Sequence, residues 1–168
     1  MYVALKHWLK DIKVKNRMDI LIRNNQLLRE IDETEVVTLM GSIIKDLGCS
    51  DDSELSVLFT TDEEIQRLNF EFRRLNEPTN VLSFPMLGVG PVDAIGDIAV
   101  SIPTAVREAR EYEITESERL CRLLIHGLLH LLGYDHEVSK EEEDKMFAKE
   151  EELMQKYGNT PLLRKDVV

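Results

Sequence analysis

Cysteine is scarce in this chain. Its two residues, Cys49 and Cys121, lie far apart and form no CxxC pair. That excludes a disulfide framework and a redox dithiol, and it fits a reduced, cytoplasmic setting. Long apolar runs are missing as well. None approaches the roughly 20 residues needed to cross a bilayer, so no membrane span is expected. There is no low-complexity tract and no internal repeat. At 168 residues the composition is that of one globular domain with a real hydrophobic core. Positive charge is short: the formal net charge is −11. Acidic proteins repel nucleic acid at long range, and phosphate contacts dominate such binding, so charge alone argues against RNA. The charge is uneven, however. Acid concentrates in Glu141, Glu142, Glu143, Asp144, Glu150, Glu151 and Glu152. Arginines gather as Arg73 with Arg74, Arg107 with Arg110, and Arg119 with Arg122. Apart from Arg73, each arginine reads by default as part of a solvated helix face.

Histidine is rare too, but concentrated. Three of four fall within His126-Gly127-Leu128-Leu129-His130-Leu131-Leu132-Gly133-Tyr134-Asp135-His136. His126 and His130 stand at i and i+4, about 40° apart on one helical face. Leu123, Leu124, Ile125, Leu128, Leu129, Leu131 and Leu132 make the surrounding helix a buried one. Gly133 suits its left-handed C-terminal cap, after which the chain can turn back and bring His136 to the same point. Two imidazoles on a leucine-rich helix are costly unless satisfied. Three imidazoles leave the fourth position of a tetrahedral zinc open to water, the catalytic arrangement. The same ligands would accept nickel, copper or cobalt. Cys121, five residues before His126, points off the ligand face and reads as a small core residue.

The spacing H-x-x-x-H-x-x-G-x-x-H is also that of metzincin peptidases, in which a glutamate follows the first histidine as general base. Here that residue is Gly127, which cannot abstract a proton, and its absence argues against proteolysis.

Two further stretches accompany the histidines: Leu68-Asn69-Phe70-Glu71-Phe72-Arg73 with Pro78-Thr79-Asn80-Val81-Leu82-Ser83-Phe84-Pro85, and Gly96-Asp97-Ile98-Ala99-Val100-Ser101. Together with His126 to His136 they resemble the bacterial YbeY family over most of the chain, from about Met18 to the helix after His136. The resemblance implies a single-strand-directed, metal-dependent endoribonuclease. It would act in rRNA maturation at the 16S rRNA 3′ end and in ribosome quality control, hydrolysing phosphodiester bonds with a zinc-bound water. It implies one zinc per chain on His126, His130 and His136, and an important arginine at Arg73. The implied partner is rRNA of the small ribosomal subunit, with room for a ribosomal protein. Arg73 would hold a phosphate oxygen bidentately and stabilise developing charge. Two readings of Asp135 stand open: it orients an imidazole, or it forms the turn after Gly133. Ser83 and Thr79 either line the substrate cleft or make turn hydrogen bonds, and Asp97 beside Gly96 has a turn role. Tyr134 reads as packing. Two alternatives remain: a zinc metallopeptidase-like hydrolase, and a zinc-stabilised ribosome-assembly factor that binds without cutting.

In chain order, Met1 to Arg17 is a basic, partly amphipathic extension with Leu5, Trp8, Leu9 and Ile12 at helical spacing. A surface helix, a membrane-touching segment and a native start at Met18 are all compatible with it; a signal peptide is not. The domain is expected over 18–160 and a flexible tail over 161–168. Asp19 to Arg23 alternates as a strand. Asp32 with Glu35, Thr61 with Glu64, Thr115 with Glu118 and Ser139 with Glu142 mark four helix starts. Glu54 to Thr60, Asn80 to Phe84 and Ile95 to Ser101 read as strands. Met86 to Ala94 reads as an exposed loop and Pro103 as the opening of a short helix. In the second helix Ile65, Leu68, Phe72 and Leu75 are expected to face inward. The fold expected is α+β: a small mixed sheet packed with helices around a central buried metal-binding helix.

Overall fold

Four short strands and five helices follow one another along the chain. The computed structural model describes residues 18–86, 94–135 and 138–164. The N-terminal extension, most of the Met86 to Ala94 loop, His136 and the last four residues therefore lie outside the described residues. The order is β1 (Asp19–Asn24), α1 (Glu33–Asp46), β2 (Glu54–Thr60), α2 (Asp62–Arg73), β3 (Val81–Pro85), β4 (Ala94–Ser101), α3 (Ile102–Glu111), α4 (Glu116–Leu131) and α5 (Lys140–Tyr157).

The caps are local chemistry. Asp32, Thr61, Thr115 and Ser139 each accept a hydrogen bond from the backbone N–H three residues on, at 3.2, 3.4, 3.0 and 3.2 Å. Each satisfies one of the donors that the first helical turn leaves without a partner. Ser101 does the same for α3 at 3.3 Å, with Pro103 in the first turn, where its missing N–H is harmless.

The sheet runs β1-β2-β4-β3, with β1, β2 and β4 parallel and β3 antiparallel on β4. Its two faces are covered differently. Leu55, Val57 and Phe59 of β2 and Ile98 and Val100 of β4 join the large core shared with α1, α3, α4 and α5. Leu58, Leu82 and Ala99 point the other way and pack with Ile65, Leu68, Phe72 and Phe84. The period-2 alternation of a strand thus places α2 alone on one face and the remaining helices on the other. Gly96 lies at an irregularity of the β2–β4 register with φ 144°, and a Cβ there would press on the Phe84 carbonyl oxygen. Only glycine combines that backbone conformation with that approach.

Four expectations need correction. Asp97 is a residue of β4, paired with Ser56 and Phe84, rather than a turn residue. Leu75 lies beyond the end of α2 and is exposed, because α2 turns off its axis at Arg74 in the left-handed conformation. Pro85 is the last residue of β3 rather than its stop; it stands at the end of an edge strand, where a missing N–H is tolerated. The expected tail is pinned as far as Arg164. Leu162 is fully buried, Asp32 N–H donates to its carbonyl at 2.9 Å, and Leu163 pairs with Ile31. Its apolar pair Leu162 and Leu163 closes the end of the main core.

Helices α2 and α3 are joined by one carboxylate. Asp62 accepts hydrogen bonds from the Ser101 and Thr104 hydroxyls and, at 2.7 Å, from the Arg107 guanidinium. Burial raises its pKa, but these donors outweigh it and hold the carboxyl below 3.8. A carboxylate with a depressed folded pKa stabilises the fold above its unfolded pKa, and loses that contribution as pH falls through the folded value. Asp62→Asn should therefore destabilise the protein at pH 7 and by progressively less below about pH 4. Urea melts of both proteins across that range check this; a pH-independent difference would contradict it.

Candidate metal centre

Helix α4 is buried on every side but one. From Leu120 to Leu131 each residue is buried except Arg122, His126 and His130, which are partly accessible. These three are four residues apart, so they form a single stripe along the helix. The remaining faces pack against the sheet, α3 and α5.

Gly127 sets how closely α4 sits on the sheet. A Cβ there would lie 3.1 Å from Ile98 Cγ2, 3.2 Å from Ser83 Oγ and 3.3 Å from Val81 Cγ2. Ser83 uses that approach to donate a hydrogen bond to the Gly127 carbonyl at 3.0 Å. The helix is thus bonded to the antiparallel edge strand one residue after His126. Its C-terminus closes with a Schellman pair: Gly133 N–H to the His130 carbonyl at 3.1 Å and Tyr134 N–H to the Leu129 carbonyl at 3.0 Å. Gly133 is left-handed at φ 89°.

The two imidazoles face each other. His126 Nε2 and His130 Nε2 are 3.1 Å apart. On its other side His126 Nδ1 lies 2.8 Å from Glu150 Oε2 of α5, and Glu150 Oε1 accepts from Arg122 at 3.0 Å. Glu150 is 6% exposed. Burial alone would raise its pKa, but the hydrogen bonds from His126 and Arg122 outweigh it and keep the carboxyl below its ordinary value. An ionised carboxylate only accepts, so Nδ1 of His126 carries the hydrogen, and in the neutral ring Nε2 presents a lone pair toward His130.

That geometry fits a metal. Zinc–nitrogen bonds of about 2.0–2.1 Å at a tetrahedral angle place two ligand nitrogens about 3.3 Å apart, close to the spacing here. Among the described residues no group of three or more His, Cys, Asp or Glu could hold an ion. The third candidate ligand, His136, lies outside them. Cys121 is fully buried, donates to the Tyr157 carbonyl at 3.5 Å, and burial pushes its thiol up to about 12. It is a core residue, not a ligand.

Arg73 is the exposed last residue of α2, which covers the face of the sheet opposite α4. It makes no ion pair or hydrogen bond to His126 or His130 among the described residues. Thr79 is half-buried ahead of β3, and Asp135 is half-buried two residues past Gly133. Ser83 is a bond to α4 rather than to a turn. Arg107, Arg119 and Arg122 lie in ion pairs with Asp62, Glu108 and Glu150, so the paired arginines of the sequence join elements rather than simply covering solvated faces.

The family model described as Endoribonuclease YbeY matches residues 19–158. The chain belongs to the YbeY endoribonuclease family. The Endoribonuclease YbeY of Shouchella clausii is 39% identical over 135 residues, 73% of this chain and 84% of that protein. That of Geobacter sulfurreducens is 43% identical over 142 residues, 81% and 93% of the two chains. The solution structure of TM1509 from Thermotoga maritima covers 88% of this chain and 97% of its own, at 29% identity and a TM-score of 0.56.

Glu150 and Arg122 escaped the reading of the sequence. Glu150 sits in an acidic run, but it also lies four residues after Met146 and three and four before Leu153 and Met154, the buried stripe of α5. A carboxylate in phase with an apolar stripe was the available signal.

Gly127 gives a direct test of the peptidase-type motif in this YbeY chain. Gly127→Glu would force a side chain between α4 and β3, destabilising the fold by more than about 3 kcal/mol. Thermal melts should show a loss of about 10 °C; an unchanged melt would refute the packing argument.

Proposed function

We propose that this protein is a zinc-dependent, single-strand-directed endoribonuclease. It acts in the cytoplasm in rRNA maturation, at the 16S rRNA 3′ end, and in ribosome quality control. Its partner is rRNA of the small subunit, with a ribosomal protein as a further contact. The observation that carries the reading is the convergence of His126 Nε2 and His130 Nε2, 3.1 Å apart, on the one accessible stripe of α4. Membership of a family whose members are named endoribonucleases supports RNA as substrate.

His126, His130 and His136 would hold the zinc. When bound, that ion supplies an acidified water near neutral pH and a Lewis acid for a phosphoryl oxygen. The chain's own residues do the rest. His126 keeps its hydrogen on Nδ1, toward Glu150, so its lone pair faces the metal position. Arg73 has no acidic partner among the described residues, which suits a guanidinium that grips a phosphate bidentately. Gly127 rules out the base that a peptidase of this spacing would use.

Metal analysis and RNA cleavage on identically purified wild type and His130→Ala test the proposal. Wild type should carry about one zinc per chain and cut single-stranded RNA; the variant should lose both. Loss of zinc with unchanged cutting would trace the activity to contamination and leave a binding factor. Arg73→Lys should retain zinc and lose turnover about 100-fold or more; full activity would remove Arg73 from the mechanism.

A further inference from the structure

We infer that Glu150 is the positioning residue of the metal centre. It fixes the tautomer and ring orientation of His126, and Arg122 holds it in place. The inference rests on His126 being a metal ligand.

The acids of α5 fall into two groups. Glu141, Glu142, Glu143, Asp144, Glu151 and Glu152 keep 79, 42, 32, 65, 57 and 66% of the side chain accessible, and all of these but Glu151 pair with lysines of their own helix. Glu150 is turned into the α4–α5 seam beside Met146, Leu153 and Met154, with 8% of its side chain accessible. A carboxylate there loses most of its hydration and needs strong partners. It has two, and both stand on the stripe that carries the imidazoles: Arg122 at 3.0 Å and His126 Nδ1 at 2.8 Å.

Each contact has a consequence for the metal position. The carboxylate oxygen accepts the Nδ1 hydrogen, so in the neutral ring the opposite nitrogen of His126 carries no hydrogen and its lone pair faces His130. A ring released from Glu150 would be free to carry its hydrogen on Nε2, where it would block the ligand lone pair. Arg122, one turn earlier on α4, ties the second carboxylate oxygen to the same helix. The orienting group from α5 is therefore registered on α4 itself. Carboxylates that accept from the far nitrogen of a ligand histidine raise its basicity as well as holding its plane.

A merely structural α4–α5 ion pair would have the same contacts but would leave the metal indifferent. Zinc titration against a chelating dye, on the full chain stripped of metal, separates the two. Wild type, Glu150→Gln and His130→Ala are compared, with the imidazole nitrogens of the metal-free wild type and Glu150→Gln read by NMR. Glu150→Gln keeps the shape but not the charge. It should bind zinc about 10- to 100-fold more weakly than wild type, and its His126 should hold the Nδ1–H form less fully than wild type, because a neutral amide oxygen accepts more weakly than a carboxylate. Zinc affinity within twofold of wild type, or a wild-type His126 protonated on Nε2 in the metal-free state, would overturn the inference. The second result needs no variant, so it stands even where Glu150→Gln fails to fold. If wild type itself binds no zinc, the reading of the site fails instead, and the tautomer of His126 still decides whether Glu150 orients the ring.

Discussion

The close approach of α4 to the sheet is the constraint on which the site depends. Nine residues of that helix are buried, and each large apolar side chain among them contributes about 1.5–3 kcal/mol by leaving water. That burial fixes the rotation of the helix about its axis. Once the rotation is fixed, one stripe of residues is left toward solvent, and the stripe carries Arg122, His126 and His130. The imidazoles are therefore placed by the leucines of their own helix. Gly127 and Ser83 complete the arrangement, one by letting backbone approach strand, the other by bonding the carbonyl that the approach presents.

Much of this was legible because it is local. Helix starts at Asp32, Thr61, Thr115 and Ser139 are statements about four consecutive residues, and each cap is present. The histidine spacing is local as well, and so is the left-handed stop at Gly133. The α+β class, with a small mixed sheet and a central covered helix, follows from element order and from the leucine content around the histidines.

What was not legible is what depends on partners distant in sequence. Glu150 reads as one more acid in a solvated run until α5 is packed on α4, 24 residues from His126. Arg119 reads as a surface charge until Glu108 of α3 lies beside it at 2.8 Å, with only 11% of its side chain accessible. Leu162 reads as frayed tail until the Asp32 N–H donates to its carbonyl and its neighbour Leu163 pairs with Ile31. In each case the local pattern fits more than one environment, and only tertiary packing selects between them.

The ion pairs also recast the charge problem. A net charge of −11 disfavours long-range capture of a polyanion. Arginine pairing deepens this, because Arg107, Arg119 and Arg122 are occupied by carboxylates. The sequence's uneven charge therefore does not become a broad basic face built from those arginines. Exposed Arg73 and Arg74 remain at the end of α2. Within the described residues, RNA contacts therefore have to be few and short-range rather than spread over a basic face.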